Sequence, residues 1–296
     1  MENRIKQVFK DYPLLQIEKI NKGWSEDQKF LLLTNDIKYL LRISPLTRLE
    51  KKRKEADIVS QINQLGYNTP KFYDIRTDSQ YVYQLYLYID GIDALEQIPT
   101  LTSKDQYEIG TDAGIILKAI HEIPIEVDRK SIIEQLKKKI QKRIELYQAS
   151  RYFSQEDQYT IDFILNNLQM IDDISITLCH GDYHLGNMII NNKQLGIIDF
   201  NRYDYEDCFR DFVPMCVFSK EASIPFILGQ LEGYFNGSIP LNFWPTVKLY
   251  LAYTTLYSII WAESYTEEDV KGMIDRKHVI YNEFNGFKSS HPNWFK

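Results

Sequence analysis

Near two-thirds of the way along the chain, three side chains with oxygen to offer stand in LCHGDYHLGNMIINNKQLGIIDF, residues 178–200. Asp182 is followed five residues later by Asn187, and Asp199 stands twelve residues beyond that. These are the groups that phosphoryl transfer from a nucleotide to a hydroxyl asks of a protein. The reaction needs little covalent participation. It needs positioning and charge neutralisation around the moving phosphate. One carboxylate accepts the hydrogen bond of the attacking hydroxyl and can take its proton. Hard oxygen ligands hold Mg²⁺ against the triphosphate. In that chemistry Asp182 is the catalytic base, and Asn187 and Asp199 are the metal ligands.

The elements that must position them are legible around them. Leu178 and Cys179 end a short apolar stretch, and His180 to Asn187 reads as a loop. Met188 to Ile190 is a short strand, Asn191-Asn192-Lys193 a turn, and Leu195 to Ile198 the return strand. Asp182 and Asn187 lie at the two ends of the loop and Asp199 where the return strand stops, so such a hairpin can bring all three to one edge. Asp and Asn are common in ordinary turns, so the spacing alone would be weak evidence. His180-Gly181 before the first Asp, the two apolar strands and Phe200 after the last Asp strengthen it.

With those residues in view, HGDYHLGN followed by IIDF resembles the signature of the aminoglycoside phosphotransferase and choline kinase family, which has the protein-kinase fold. Protein kinases proper use a similar loop and a D-F-G metal site. Here Gly181 follows the His where they have Arg, and Asn201 follows Phe200 where they have Gly. Both departures point to the small-molecule branch. The resemblance runs from about Ile17 to about Phe287 and is strongest over 178–211.

The resemblance implies an α+β, bilobal, protein-kinase-like fold: a small antiparallel β lobe with one helix, and a larger, mainly helical lobe containing the catalytic loop and hairpin. It implies a nucleotide-binding lobe over 1–88, a hinge at 89–91 and a catalytic and substrate-binding lobe over 92–296. ATP or GTP is the implied co-substrate, with Mg²⁺. Arg42, in Lys38 to Ile43, matches the strand base that grips the phosphates, often Lys and in some members Arg. Glu55 matches the helix glutamate that pairs with it, with Glu50 as a rival. Ser25, in Asn21 to Glu26, falls in the nucleotide-covering turn. Tyr88, Ile89 and Ile198 complete the nucleotide set. His121 matches a family histidine that we read as structural. Asp207 and Asp211 match positions that tie the segment after Asp199 to a neighbouring helix.

The chain bounds the alternatives. Its 296 residues, 44% hydrophobic and 26% charged, suit a globular protein of one large domain or two lobes. Forty-one acids against 35 bases give −6, which argues against a general nucleic-acid binder. The basic run Arg48 to Lys54 reads as a solvated helix start. Lys137 to Lys139, Lys142 and Arg143 are the wet face of a helix whose apolar stripe is Ile132, Ile133, Leu136, Ile140 and Ile144. Three cysteines without a C-x-x-C read as reduced thiols of a cytoplasmic protein. No Walker G-x-x-x-x-G-K-(S/T) occurs, which disfavours a P-loop kinase. The start of the sequence has no apolar signal region. The uncharged stretch Leu249 to Ala262 is 14 residues, shorter than the ~20 a spanning helix needs, and reads as buried, with Asn242 as its cap.

Period-two patterns predict strands over 16–22, 28–34, 39–43, 72–76 and 81–88, with a helix over 51–65. From residue 103 the pattern turns helical: 106–121, 130–148, 155–170, 207–219, 222–235, 243–263 and 267–284. Asp204, Glu206, Glu263, Glu267 and Glu268 are candidates for an acidic wall that attracts a cationic acceptor. They point to an aminoglycoside antibiotic and to a resistance kinase. Choline, a sugar, homoserine or a macrolide are the alternative acceptors; a stacking role for Tyr203, Tyr205, Trp261 and Tyr265 would suit some of these. A non-catalytic pseudokinase that only binds is the alternative of another class. No nucleic-acid or membrane partner is expected.

Overall fold

The computed structural model describes residues 1–21 and 27–295. Contacts divide the chain into two compact units: Met1–Ala94 with Asn187–Asn201, and Leu95–Gly186 with Arg202–Lys296. The first therefore runs past residue 88 and takes in the hairpin that follows the proposed catalytic loop.

In the first unit, helix α1 (Glu2–Val8) precedes strands β1 (Gln16–Ile20), β2 (Gln28–Leu33) and β3 (Lys38–Pro45). Helix α2 (Leu49–Asn63) follows, then β4 (Lys71–Thr77) and β5 (Tyr81–Leu87). The strands form one antiparallel sheet in the order β1-β2-β3-β5-β4. Side chains alternate across a strand, and β3 uses both faces. Tyr39, Leu41 and Ile43 join Phe30, Leu32, Tyr83 and Leu85 in a core closed by Ile5 and Phe9. The α1 helix that supplies Ile5 was not anticipated. Each such burial stabilises by roughly 1.5–3 kcal/mol. Arg42 and Ser44 take the alternate positions, and Arg42 pairs in register with Gln84, whose side chain donates to the Lys52 carbonyl of α2 at 2.9 Å. One face is thus apolar, and the other holds the buried charges Asp27, Arg42, Lys52 and Glu55. Burying ions is tolerated only with close pairing.

A short strand, β6 (Ile92–Asp93), pairs with Met188–Asn191 of the hairpin, whose second strand is Gln194–Ile197. The two loop residues, Asn192 and Lys193, have φ of 49° and 65°, the left-handed pair that a type I′ hairpin needs. Gly91, at φ 152°, passes so close that a Cβ would lie 2.5 Å from Ile189 Cγ2.

The second unit contains α3 (Ser103–His121), α4 (Arg129–Gln148), α5 (Gln158–Asn166), α6 (Ile224–Phe235), α7 (Phe243–Ala262) and α8 (Glu267–Glu283). Strands Ile176–Cys179 and Asp204–Asp207 make a two-stranded antiparallel ribbon. The α4 stripe buries Ile133, Leu136, Ile140 and Ile144. Helices α3 and α6 touch backbone to backbone: a Cβ on Gly114 would lie 2.2 Å from the Gln230 carbonyl oxygen, and one on Gly229 2.1 Å from that of Tyr107.

Several boundaries differ from the expected ones. The helix expected over 155–170 is α5 flanked by 3-10 turns at Gln155–Asp157 and Leu168–Asp173. The one expected over 207–219 opens as a 3-10 turn, Cys208–Asp211, because the Asp207 side chain accepts from the Phe209 amide. It then passes through Phe212–Pro214 into a π turn, Met215–Ser219; Pro214 has no amide to donate to an α-helical ladder. Asn242 does not cap α7: its backbone is already helical and its side chain makes no cap bond. Among the described residues, no helix is long and apolar enough to cross a membrane.

Candidate active site

In the first unit the hairpin delivers Asn187 and Asp199 together. The Ile198 amide donates to the Asn187 carbonyl at 2.9 Å, so the two candidate metal ligands flank one hydrogen bond. Asp199 sits at φ 66°, a left-handed backbone that Asp tolerates better than most residues. Arg42 Nη1 donates to its Oδ1 at 3.1 Å, and Lys29 Nζ to its Oδ2 at 3.2 Å. A carboxylate and a carboxamide fit the hard-oxygen preference of Mg²⁺, and the neighbouring cations suit an anionic ligand.

Arg42 is held from behind. Its Nη1 lies 3.3 Å from Glu55 Oε1, and its Nε and Nη2 donate to Asp27 Oδ2 at 3.2 and 3.0 Å. Lys52 Nζ donates to Asp27 at 2.7 Å and to Glu55 at 2.9 Å. Burial alone would raise the Asp27 carboxyl; Arg42 and Lys52 outweigh it and bring it down to about 2. Glu55, not Glu50, is the partner of Arg42: Glu50 pairs with Arg53 at the surface, with 76% of its side chain exposed. Lys52 corrects the reading of Arg48 to Lys54 as a solvated face, since only 3% of it is exposed. Tyr88 is exposed, and Ile89 and Ile198 are half-buried. Ser25 lies outside the described residues.

In the second unit the loop bearing Asp182 is pinned from below. Asp211 accepts from the His180 and Gly181 amides, both at 2.7 Å, and lies 3.1 Å from His121 Nε2. His121 Nδ1 meets the Tyr234 hydroxyl at 2.8 Å, so both ring nitrogens have a partner. Asp207 instead accepts from Tyr250 of α7 at 2.8 Å. Gly181, at φ 82°, leaves room for the Arg202 carbonyl, which a Cβ would meet at 2.0 Å. The Asp182 amide donates to His180 Nδ1 at 3.2 Å. The Asp182 carboxylate lies 3.5 Å from His184 Nε2 and 3.5 Å from Arg202 Nη1. Burial pushes its carboxyl up, but His184, then Arg202 and His180, hold it below the usual carboxylate value. It is a charged acceptor at neutral pH.

The acceptor candidates separate. Asp204 is exposed at the start of its strand. Glu206 is engaged: Lys139 Nζ donates to it at 2.7 Å and Arg210 Nε at 3.2 Å, which makes it an internal anion. Glu263 lies 3.5 Å from Arg151. Glu267 and Glu268 occupy the first turn of α8, behind a capping box of Thr266 and Asp269, where negative charge is favoured without any ligand. The Trp261 and Tyr265 rings are tilted at 53° to one another with centroids 4.7 Å apart, and Arg202 lies over Trp261 at 5.7 Å.

Sequence reasoning missed Lys29, Asp27, Lys52, His184 and Arg202. For Lys52 a signal exists: with Glu55, Ala56 and Val59 it falls at i, i+3, i+4 and i+7, the spacing of one helix face.

The model of the phosphotransferase enzyme family (APH) matches residues 16–249. No curated protein matches the sequence. Solved structures do match. The crystal structure of aminoglycoside phosphotransferase APH(2'')-Ib with ADP bound has a TM-score of 0.65 and 19% identity, covering 95% of this chain and 98% of that one. The gentamicin–APH(2'')-IIa complex has 0.67 and 19%, covering 94% of each. A thermostable mutant of APH(4)-Ia, apo form, has 0.70 and 13%, covering 97% of this chain and all of that one. At these identities the likeness is one of fold, the kinase-like α+β fold expected from the sequence.

Proposed function

Because this chain belongs to the phosphotransferase enzyme family, and so is a phosphotransferase acting on an alcohol group, we propose that it moves the γ-phosphate of Mg²⁺-bound ATP or GTP to a hydroxyl of an aminoglycoside antibiotic, as a cytoplasmic resistance kinase. The observation that carries this is the Asp182 carboxylate, kept ionised on a loop that Asp211 pins through two backbone amides. Asp182 accepts the hydrogen bond of the acceptor hydroxyl and takes its proton as the bond to phosphorus forms. Arg42, clamped by Glu55 and Asp27, grips phosphate oxygens. Ser25, Tyr88, Ile89 and Ile198 are assigned to the nucleotide. Mg²⁺, when held by Asn187 and Asp199, neutralises charge on the phosphates.

The aminoglycoside assignment is supported by the gentamicin complex among similar folds and by the acidic groups Asp204, Glu267 and Glu268. One observation favours a second reading. Glu206, Glu263 and Asp182 each have a basic partner, which suits a less cationic acceptor such as a sugar, homoserine or a macrolide. Purified protein, Mg²⁺ and γ-labelled ATP or GTP, offered aminoglycosides, choline, sugars, macrolides and homoserine in parallel, separates the two. Label on an aminoglycoside is the expected result. Label on another acceptor alone replaces the acceptor class and keeps the kinase. Label on none overturns the proposal.

A further inference from the structure

We infer that Asp27 and Lys52 are positioning residues for Arg42: an ion pair behind the guanidinium that fixes which of its edges meets the nucleotide phosphates. This rests on the reading of Arg42 as the phosphate-binding base.

The need follows from the choice of arginine. A guanidinium carries five N–H donors in a rigid fork, where an ammonium has three on a single nitrogen. Buried, those donors require acceptors. Glu55 serves only Nη1, at 3.3 Å. Asp27 serves Nε and Nη2. With Asp199 matched by Lys29, the Asp27 and Glu55 carboxylates around one guanidinium leave an excess negative charge, and the Arg42, Asp27 and Glu55 side chains are no more than 5% exposed. Lys52, also buried, supplies the missing positive charge and bonds both acids. Ser44 Oγ donates to the other oxygen of Asp27 at 2.5 Å, and Arg48 lies 3.9 Å from it. The carboxylate therefore has little freedom to rotate. With Nε and Nη2 held, Nη1 is the edge that reaches Asp199. Asp27 and Lys52 are 15 and ten residues from Arg42 in sequence and lie on separate segments, so only the fold unites them.

The test measures affinity for a fluorescent ATP analogue in folded protein, beside thermal unfolding and acceptor KM. Arg42→Met should bind the analogue at least about tenfold more weakly, a loss of about 1.4 kcal/mol. If it binds like the parent, the phosphate-binding reading fails, and this inference with it. Lys52→Met should also lose about tenfold, with acceptor KM unchanged. In the Arg42→Met background, Lys52→Met should cost no more than about twofold, as two changes acting through one group do not add. If Lys52→Met does not fold, Asp27→Asn with Lys52→Met removes one acid and one base together and should show the same loss. Parental affinity in the folded Lys52 variants, beside a weak Arg42→Met, overturns the inference. So does an equal loss from Lys52→Met with and without Arg42, which would mark a role independent of the arginine.

Discussion

The proposed chemistry turns on how one carboxylate is held. His184 is the strongest partner lowering the Asp182 carboxyl against the upward push of burial. Removing it should therefore raise that carboxyl. The acid limb of kcat/KM is expected to move to higher pH in His184→Phe, which keeps an aromatic ring against Phe218. Nucleotide affinity should hold. An unmoved limb would show that another group titrates there. The placing of Asp182 on a loop, and of Asn187 and Asp199 at the two ends of the hairpin after it, was legible because local spacing sets it. Asp27 was not, because its partners Arg42 and Lys52 lie on other elements; Lys52 has Glu55 one turn on in its own helix, but a lysine in a basic run reads as solvated until a fold covers it. Glu206 reads as a free surface acid for a related reason, since Lys139 reaches it from helix α4 and Arg210 from the 3-10 turn that follows its strand.

At the scale of elements, period-two alternation located five strands to within a few residues, because one face of that sheet is apolar. It said less about the other face, where Arg42 and Gln84 replace hydrophobic residues. The contact of α3 with α6 was hidden, because a glycine inside a helical pattern reads as a weakness. Here Gly110 and Gly114 lie against the backbone of α6, and Gly229 and Gly233 against that of α3. Gly229→Ala would place a methyl 2.1 Å from the Tyr107 oxygen, so the helices must part. We expect a loss of about 2–4 kcal/mol, despite the better helix propensity of alanine, read as a lower urea midpoint. An equal or higher midpoint would mean that the helices separate freely.

For the whole molecule, length and charge argued against some classes, and the loop motif pointed to a family whose model spans most of the chain. The acceptor was not legible, because two of the acids that suggest a cation, Glu206 and Glu263, are paired with bases that only folding brings near, and Glu267 and Glu268 open a helix. The buried cluster also ties global stability to acid. The Asp27 carboxyl is lowered from 3.8 to about 2, so its stabilisation is present above about pH 4 and is lost as pH falls toward 2. Unfolding free energies should drop across that window in the parent, and less in Asp27→Asn, which starts lower; identical slopes would remove Asp27 from the acid response. The most direct test of the central claim is a single-turnover assay of γ-phosphate transfer, comparing the parent protein with Asp182→Ala at matched nucleotide occupancy. The expected result is transfer to an acceptor hydroxyl by the parent, and a rate about 10²–10⁴-fold lower in Asp182→Ala with nucleotide affinity retained. An Asp182→Ala protein that transfers phosphate at the parental rate would contradict it.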